Sequence, residues 1–246
     1  MDFRYPVAQI LAASCAVMAV AGAAQNGPPP QRSGAFTVSP LRIDLPSGED
    51  HAELTLSNAL DRASAVQVRV FAWSQENGLD RFSPTTDFVV SPSIFRMPPQ
   101  SLQQFHIVRR GPTTGTGEGR YRIVIDQLPE PPSGVSQAAV TRLQMTLPLF
   151  SGSERASPAS LTASLAGSRL TIANSGGRTA RIGSLAVVAA DGNRWPIALE
   201  VGRYVHGQSS LTYQIAGFDC ARAARVRIVG MVDRTGFDAV PQTSCP

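Results

Sequence analysis

Lysine is missing altogether from this sequence of 246 residues, and all 22 of its basic side chains are arginines. Every cation is therefore a planar guanidinium, which grips a carboxylate in a rigid fork where lysine would offer a point charge. Cysteine and histidine are nearly as scarce, with three of each. His51, His106 and His206 stand in no metal-type spacing with one another or with a cysteine, so no metal site is expected. No G-x-S-x-G motif or phosphate-binding glycine loop follows a strand pattern. The glycine-rich run Gly115–Gly119 has no helix after it that would hold a phosphate, and reads as a hairpin loop. Asp80, Asp87 and Asp126 are scattered turn or surface acids, not a carboxylate pair. No catalytic residue, cofactor or small-molecule substrate is expected.

The formal charge of +4 and a pI near 9.4 are compatible with nucleic acid or an acidic surface. The arginines, however, are spread along the chain and not clustered with aromatics, so a solvated surface is the preferred reading and nucleic acid is not an expected partner. Long runs with a 3.6-residue apolar period are also lacking. With 19 prolines and 21 glycines, that favours an all-β chain of short strands and many turns.

Residues 1–24 read as an export signal: Arg4 provides the positive start, Ile10–Val20 is too short an apolar run to span a bilayer, and small residues around Ala21–Ala24 suit cleavage. Cys15 lies within that run and offers lipidation as an alternative. If it leaves with the signal, Cys220 and Cys245 remain, and two cysteines in an exported chain most often pair. Residues 25–35 form a proline-rich lead without a packing face. From Phe36 onward, short alternating segments follow at intervals of 8–12 residues, the pattern of an immunoglobulin-like sandwich over residues 36–150. Ser151–Ser160 (SGSERASPAS) is a small, polar linker, and residues 161–246 repeat the β pattern as a second, smaller sandwich.

The last strand of the first domain stands out. In Arg142–Phe150 (RLQMTLPLF), Leu143, Met145, Leu147 and Leu149 alternate with Gln144, Thr146 and Pro148, which predicts a strand with one apolar face. Pro148 lacks an amide hydrogen, so the strand belongs on a sheet edge. An apolar edge strand invites pairing with another chain.

Three segments together resemble the periplasmic chaperones of the chaperone–usher pilus pathway. They are Gly78–Arg109 (GLDRFSPTTDFVVSPSIFRMPPQSLQQFHIVR), Arg120–Pro132 (RYRIVIDQLPEPP) and Met145–Phe150 (MTLPLF). The P-T-T-D and L-P-L-F forms lean towards the archaic, spore-coat-type branch. The resemblance covers the first domain well and the second only by length and strand pattern. It implies two immunoglobulin-like domains in an L-shaped arrangement, a periplasmic location, and partners that are pilus or surface-fibre subunits and an outer-membrane usher. It also implies donor-strand complementation, in which a chaperone strand fills the groove of an incomplete subunit; self-capping of the free chaperone as a dimer is left open. Leu143, Met145 and Leu147 are the donor candidates, with Val140 or Ala139 extending the row. For Leu147 and Leu149, packing in this domain's own core is the competing assignment.

The same family anchors the subunit's C-terminal carboxylate between two basic residues. Arg42 in PLRIDL matches the first position. The second is usually a lysine on the donor strand, where this chain has Thr146 or Pro148, so the role passes to an arginine such as Arg122 or Arg96. The main alternative is a secreted fibre subunit or adhesin of β-sandwich type, but Gln25–Ala35 lacks the alternating donor peptide such a subunit carries. An exported enzyme or carbohydrate binder would need converging acids or an aromatic platform, whereas Trp73 and Trp195 lie in strand-like segments that look like core.

Overall fold

A computed structural model describes residues 36–111, 117–129, 143–199, 203–220 and 225–244. The expected export signal, the proline-rich lead, Ala139, Val140 and Cys245 lie outside these residues. Cys220 is buried and disulfide-bonded.

The first sandwich pairs two sheets. Strands are numbered in chain order. One sheet runs β1 (Phe36–Ser39), β3 (His51–Asn58), β8 (Ser101–Arg109), β6 (Phe88–Ser91). The other runs β2 (Ile43–Leu45), β10 (Gln144–Ser151), β9 (Gly119–Gln127), β4 (Ser64–Glu76), β5 (Leu79–Pro84), with β7 (Ile94–Met97) also on β4. The inward rows do what alternation predicts: Leu54 and Leu56 of β3, Val66 and Val68 of β4, Phe105 and Ile107 of β8, and Ile123 and Ile125 of β9 form one buried core. Asn77 and Gly78, both at positive φ, make the tight turn between β4 and β5 that the Asn-Gly pair predicts. Pro40 lies where the chain leaves β1 in one sheet and enters β2 in the other.

The second sandwich packs β16 (Ser209–Gln214), β12 (Arg169–Asn174), β11 (Leu161–Ala166) and β19 (Gln242–Ser244) against β14 (Arg194–Pro196), β13 (Ala180–Ala189), β17 (Val226–Val232) and β18 (Thr235–Ala239). A two-residue strand, β15 (Tyr204–Val205), pairs with β13. Leu165, Leu170, Ile172, Val187, Leu211 and Ile228 centre its separate core. Trp195 packs against that core edge-on to Phe218, whereas Trp73 joins a third, small cluster with Phe150 and Tyr204 between the sandwiches. The expected all-β fold of two immunoglobulin-like sandwiches is borne out.

Candidate functional site

Strand β10 has two unlike halves. It pairs with β9 along its full length, from Gln144 opposite Asp126 to Ser151 opposite Gly119. On its other side, β2 joins in parallel only at Leu149–Ser151. Gln127 donates its backbone N–H to the Leu143 carbonyl at 2.9 Å, so odd-numbered residues of β10 bond to β9 and even-numbered ones aim their backbone groups outward. Pro148 therefore withholds no N–H from the ladder, while Gln144 and Thr146 present an edge that no described strand pairs with. This is the edge position its proline predicted.

The side chains follow the same parity. Leu147 and Leu149 are buried in the core of their own sandwich, at 3% and 0% exposure. Met145 and Leu143 are only partly buried and pack at the margin of that core. The donor row expected at Leu143, Met145 and Leu147 is thus corrected at one position: Leu147 already fills its own core and is not presented to a partner.

On the opposite face, Thr146 and Pro148 line a cleft of about 700 Å³ between the sandwiches, together with Leu41, Arg42, Asp44 and Arg122 from the first and Arg181, Tyr204, Asp233 and Arg234 from the second. Arg42 and Arg122 are both there. Arg122 stands on β9 directly opposite Pro148. Arg96 is exposed on β7 opposite Ala65 and does not line the cleft.

An aromatic floor supports the two cations. The Arg122 guanidinium lies 3.8 Å from the Trp73 ring centre and 5.4 Å from that of Tyr204, and Arg42 lies 4.5 Å from Phe150. A cation over an aromatic face gains about 0.5–2 kcal/mol, more as water is excluded. Burial lowers the Arg122 pKa, against opposing pulls from Asp80 and Tyr204. Its Nε is buried with no hydrogen-bond partner. For Arg42, burial also acts downward, but the hydrogen bond and charge of Asp44, helped by Tyr204 and Asp233, carry the pKa upward. Both remain cations at any physiological pH.

Buried polar contacts hold the cleft walls together. The Glu118 side chain is 1% exposed; its Oε1 accepts from the Thr179 backbone N–H at 2.8 Å and Arg120 Nε at 3.2 Å, and its Oε2 from Ser153 Oγ at 2.8 Å. Arg120 Nη2 donates onward to the Gly177 carbonyl at 2.8 Å. Gln75 makes a second tie, donating to the Tyr204 carbonyl at 2.7 Å and accepting from the His206 backbone N–H at 2.9 Å and Ser209 Oγ at 2.8 Å. His206 stacks edge-on to Trp73 at 4.2 Å; burial, with Arg120 and Arg122 nearby, pushes its pKa down to about 3.

Sequence reasoning missed Asp44, the aromatic floor and the Glu118 and Gln75 ties. A local signal did exist for Arg122 and Trp73. With Ile123, Ile125, Val66 and Val68 inward, strand parity turns Arg122 and the Trp73 end of β4 towards the outer face. Nothing local announces that Tyr204 closes that face from another domain.

Residues 35–152 match the family of pili and flagellar-assembly chaperones through its PapD N-terminal domain. A comparison with curated proteins finds no match. Solved structures of similar fold include the chaperone–tip adhesion subunit pre-assembly complex of the archaic Csu pili of Acinetobacter baumannii, at 18% identity and a TM-score of 0.64, covering 86% of this chain and 100% of that one. The E. coli chaperone DraB is similar at 21% identity and a TM-score of 0.62, over 84% and 96% of the two chains. A complex of the Salmonella enterica SafA pilin with the SafB chaperone gives 20% identity and a TM-score of 0.60, over 83% and 95%. Residues 35–152 thus match a pilus-assembly chaperone domain, and the two-sandwich architecture is the fold of solved pilus chaperones.

Proposed function

We propose that this chain is a periplasmic chaperone of a chaperone–usher pathway, of the archaic type, which caps a pilus or surface-fibre subunit by lending it the open edge of β10. The observation that carries the reading is the reach of the β10 row: Met145 and Leu143 continue the apolar face of Leu147 and Leu149 to the margin of the sandwich's own core, where they stay partly exposed. Outward backbone groups at Gln144 and Thr146 offer the subunit a sequence-tolerant ladder. Met145 and Leu143 then enter its groove, each contributing about 1.5–3 kcal/mol on full burial. At the other end of the bound strand, Arg42 and Arg122 grip the subunit's C-terminal carboxylate. Arg122 takes the place of the absent lysine, and Arg96 has no part in it. Release at an outer-membrane usher follows by exchange for another subunit's strand.

Co-expression with candidate fibre subunits, followed by pull-down, tests the reading. A stable one-to-one complex is expected, lost on Met145→Arg. Failure of every such subunit to co-purify with the folded wild-type chain would overturn it.

A further inference from the structure

Arg42 reaches the cleft with its fork already filled. Its Nε donates to Asp44 Oδ2 and its Nη2 to Asp44 Oδ1, both at 2.7 Å. That is the two-point geometry by which a guanidinium binds any carboxylate, and it occupies the Nε–Nη2 edge, one of the two edges that an incoming carboxylate could use. The backbone sets this spacing. Asp44 is the middle residue of β2, held in parallel register opposite Phe150, and Arg42 lies two residues before it on the same face.

Arg122 is the contrast. It lines the same cleft and stacks on Trp73, yet it has no hydrogen-bond or carboxylate partner among the described residues. Asp233, the other acid of the cleft, is already engaged: its Oδ1 accepts from the Arg181 backbone N–H at 2.9 Å. Of the two arginines that the first sandwich brings to the cleft, Arg42 is thus held by a half-exposed carboxylate and Arg122 is not, while Arg181 and Arg234 line the cleft from the second sandwich.

We infer that Asp44 is an internal stand-in for the partner's carboxylate, a latch that holds Arg42 closed in the empty chain and is displaced when a terminal carboxylate engages Arg42 and Arg122 together. This rests on the carboxylate-anchor reading given above. Asp44, tethered to β2, satisfies only Arg42. A carboxylate arriving at the end of a strand laid along β10 reaches both cations and so outcompetes it. A group that meets Arg42 alone gains nothing over Asp44. The displaced Asp44 side chain returns to water from a site where it is already 53% exposed. The latch thus favours the complete C-terminus of a correctly seated strand over other acidic groups.

Calorimetric titration of the full chain tests this with two probes: an acetylated hexapeptide of alternating leucine and threonine bearing a free C-terminal carboxylate, and its C-terminal amide. Wild type should prefer the acid. Asp44→Asn, and Asp44→Ser as a second variant, should bind the acid about three- to fivefold more tightly, the size of one partly exposed ion pair, with no change for the amide. Arg42→Gln in the Asp44→Asn background should remove that gain. A preference for the acid that is unchanged or weakened in both Asp44 variants would show that Asp44 orients Arg42 and is no latch, while leaving the anchor standing. No preference for acid over amide in any folded variant would overturn the anchor itself, and the latch with it.

Discussion

The two sandwiches meet the same edge problem and differ in how much apolar surface they leave at it. Each has an edge strand that is fully paired on one side and covered by a three-residue parallel strand on part of the other. In the first sandwich β2 covers Leu149–Ser151 of β10; in the second β19 covers Ser164–Ala166 of β11. The uncovered part of β11 is Leu161–Ala163, where Ala163 is buried and Leu161 packs on the core of its own sandwich. Leu161 is the one apolar residue of this uncovered stretch that stays partly exposed. The row of β10 leaves two at the rim, Met145 and Leu143. A bare edge alone is a hazard that most domains blunt; a bare edge with surplus apolar side chains becomes a place for another strand.

The sharpest way to break this contrast is to test the two halves of β10 against each other. Leu147→Ala should cost about 3 kcal/mol of stability as a cavity opens in a closed core, read from the urea unfolding midpoint. Met145→Ala should cost well under half as much. Equal losses would show that the β10 row is uniformly core.

Glu118→Gln should follow, at about 2 kcal/mol. It keeps the shape but weakens acceptance from Thr179, Arg120 and Ser153 in a buried site. Because this side chain ties one sandwich to the other, separate unfolding transitions for Trp73 and Trp195 fluorescence are expected in the variant. A single coincident transition at the wild-type midpoint would show that the tie is dispensable.

Acid should act at the same junction. The unfolded chain protonates His206 near 6.5, whereas the folded chain does so only at about 3. Between those values the unfolded state binds more protons, so stability falls as pH drops below 6.5, by about 2 kcal/mol at pH 5 from this residue. His206→Phe should flatten that slope in unfolding measurements from pH 7 to 5; an unchanged slope would remove His206 as its source.

The smallest expected effect on stability is that of Met145→Arg, within about 1 kcal/mol, because the long side chain can lay its stem on the rim and keep its charge in water. The same variant should abolish subunit capture in the pull-down. A folded Met145→Arg chain that still captures subunit would mean that the rim residue is not the donor.

Much of this could be read from residue order. Strand alternation placed Ile123, Ile125, Leu54 and Leu56 inward, and the proline in LQMTLPLF put β10 on an edge, because period-two patterning and a missing N–H are local properties. The Asn77-Gly78 turn was equally local. Where the apolar row of β10 would leave its own core was not readable, since Leu147 and Met145 have the same parity and similar hydrophobicity. Only the reach of the opposing sheet separates them. The fold brings Arg42 and Arg122 to one cleft and leaves Arg96 outside it, which linear sequence could not tell because it gives no distance between β7 and the cleft.

Residue order thus determined that the chain is all-β, that β10 is an apolar edge strand, and that any grip on a carboxylate must come from guanidinium groups, for want of a single lysine. Tertiary structure decided which arginines share a cleft, which of them is already occupied, and how much of the β10 row is left over. Those outcomes depend on residues far apart in the chain (Asp44 beside Phe150, Trp73 beneath Arg122, Tyr204 closing over both), and contacts between separate strands and domains have no local signature from which they could be read.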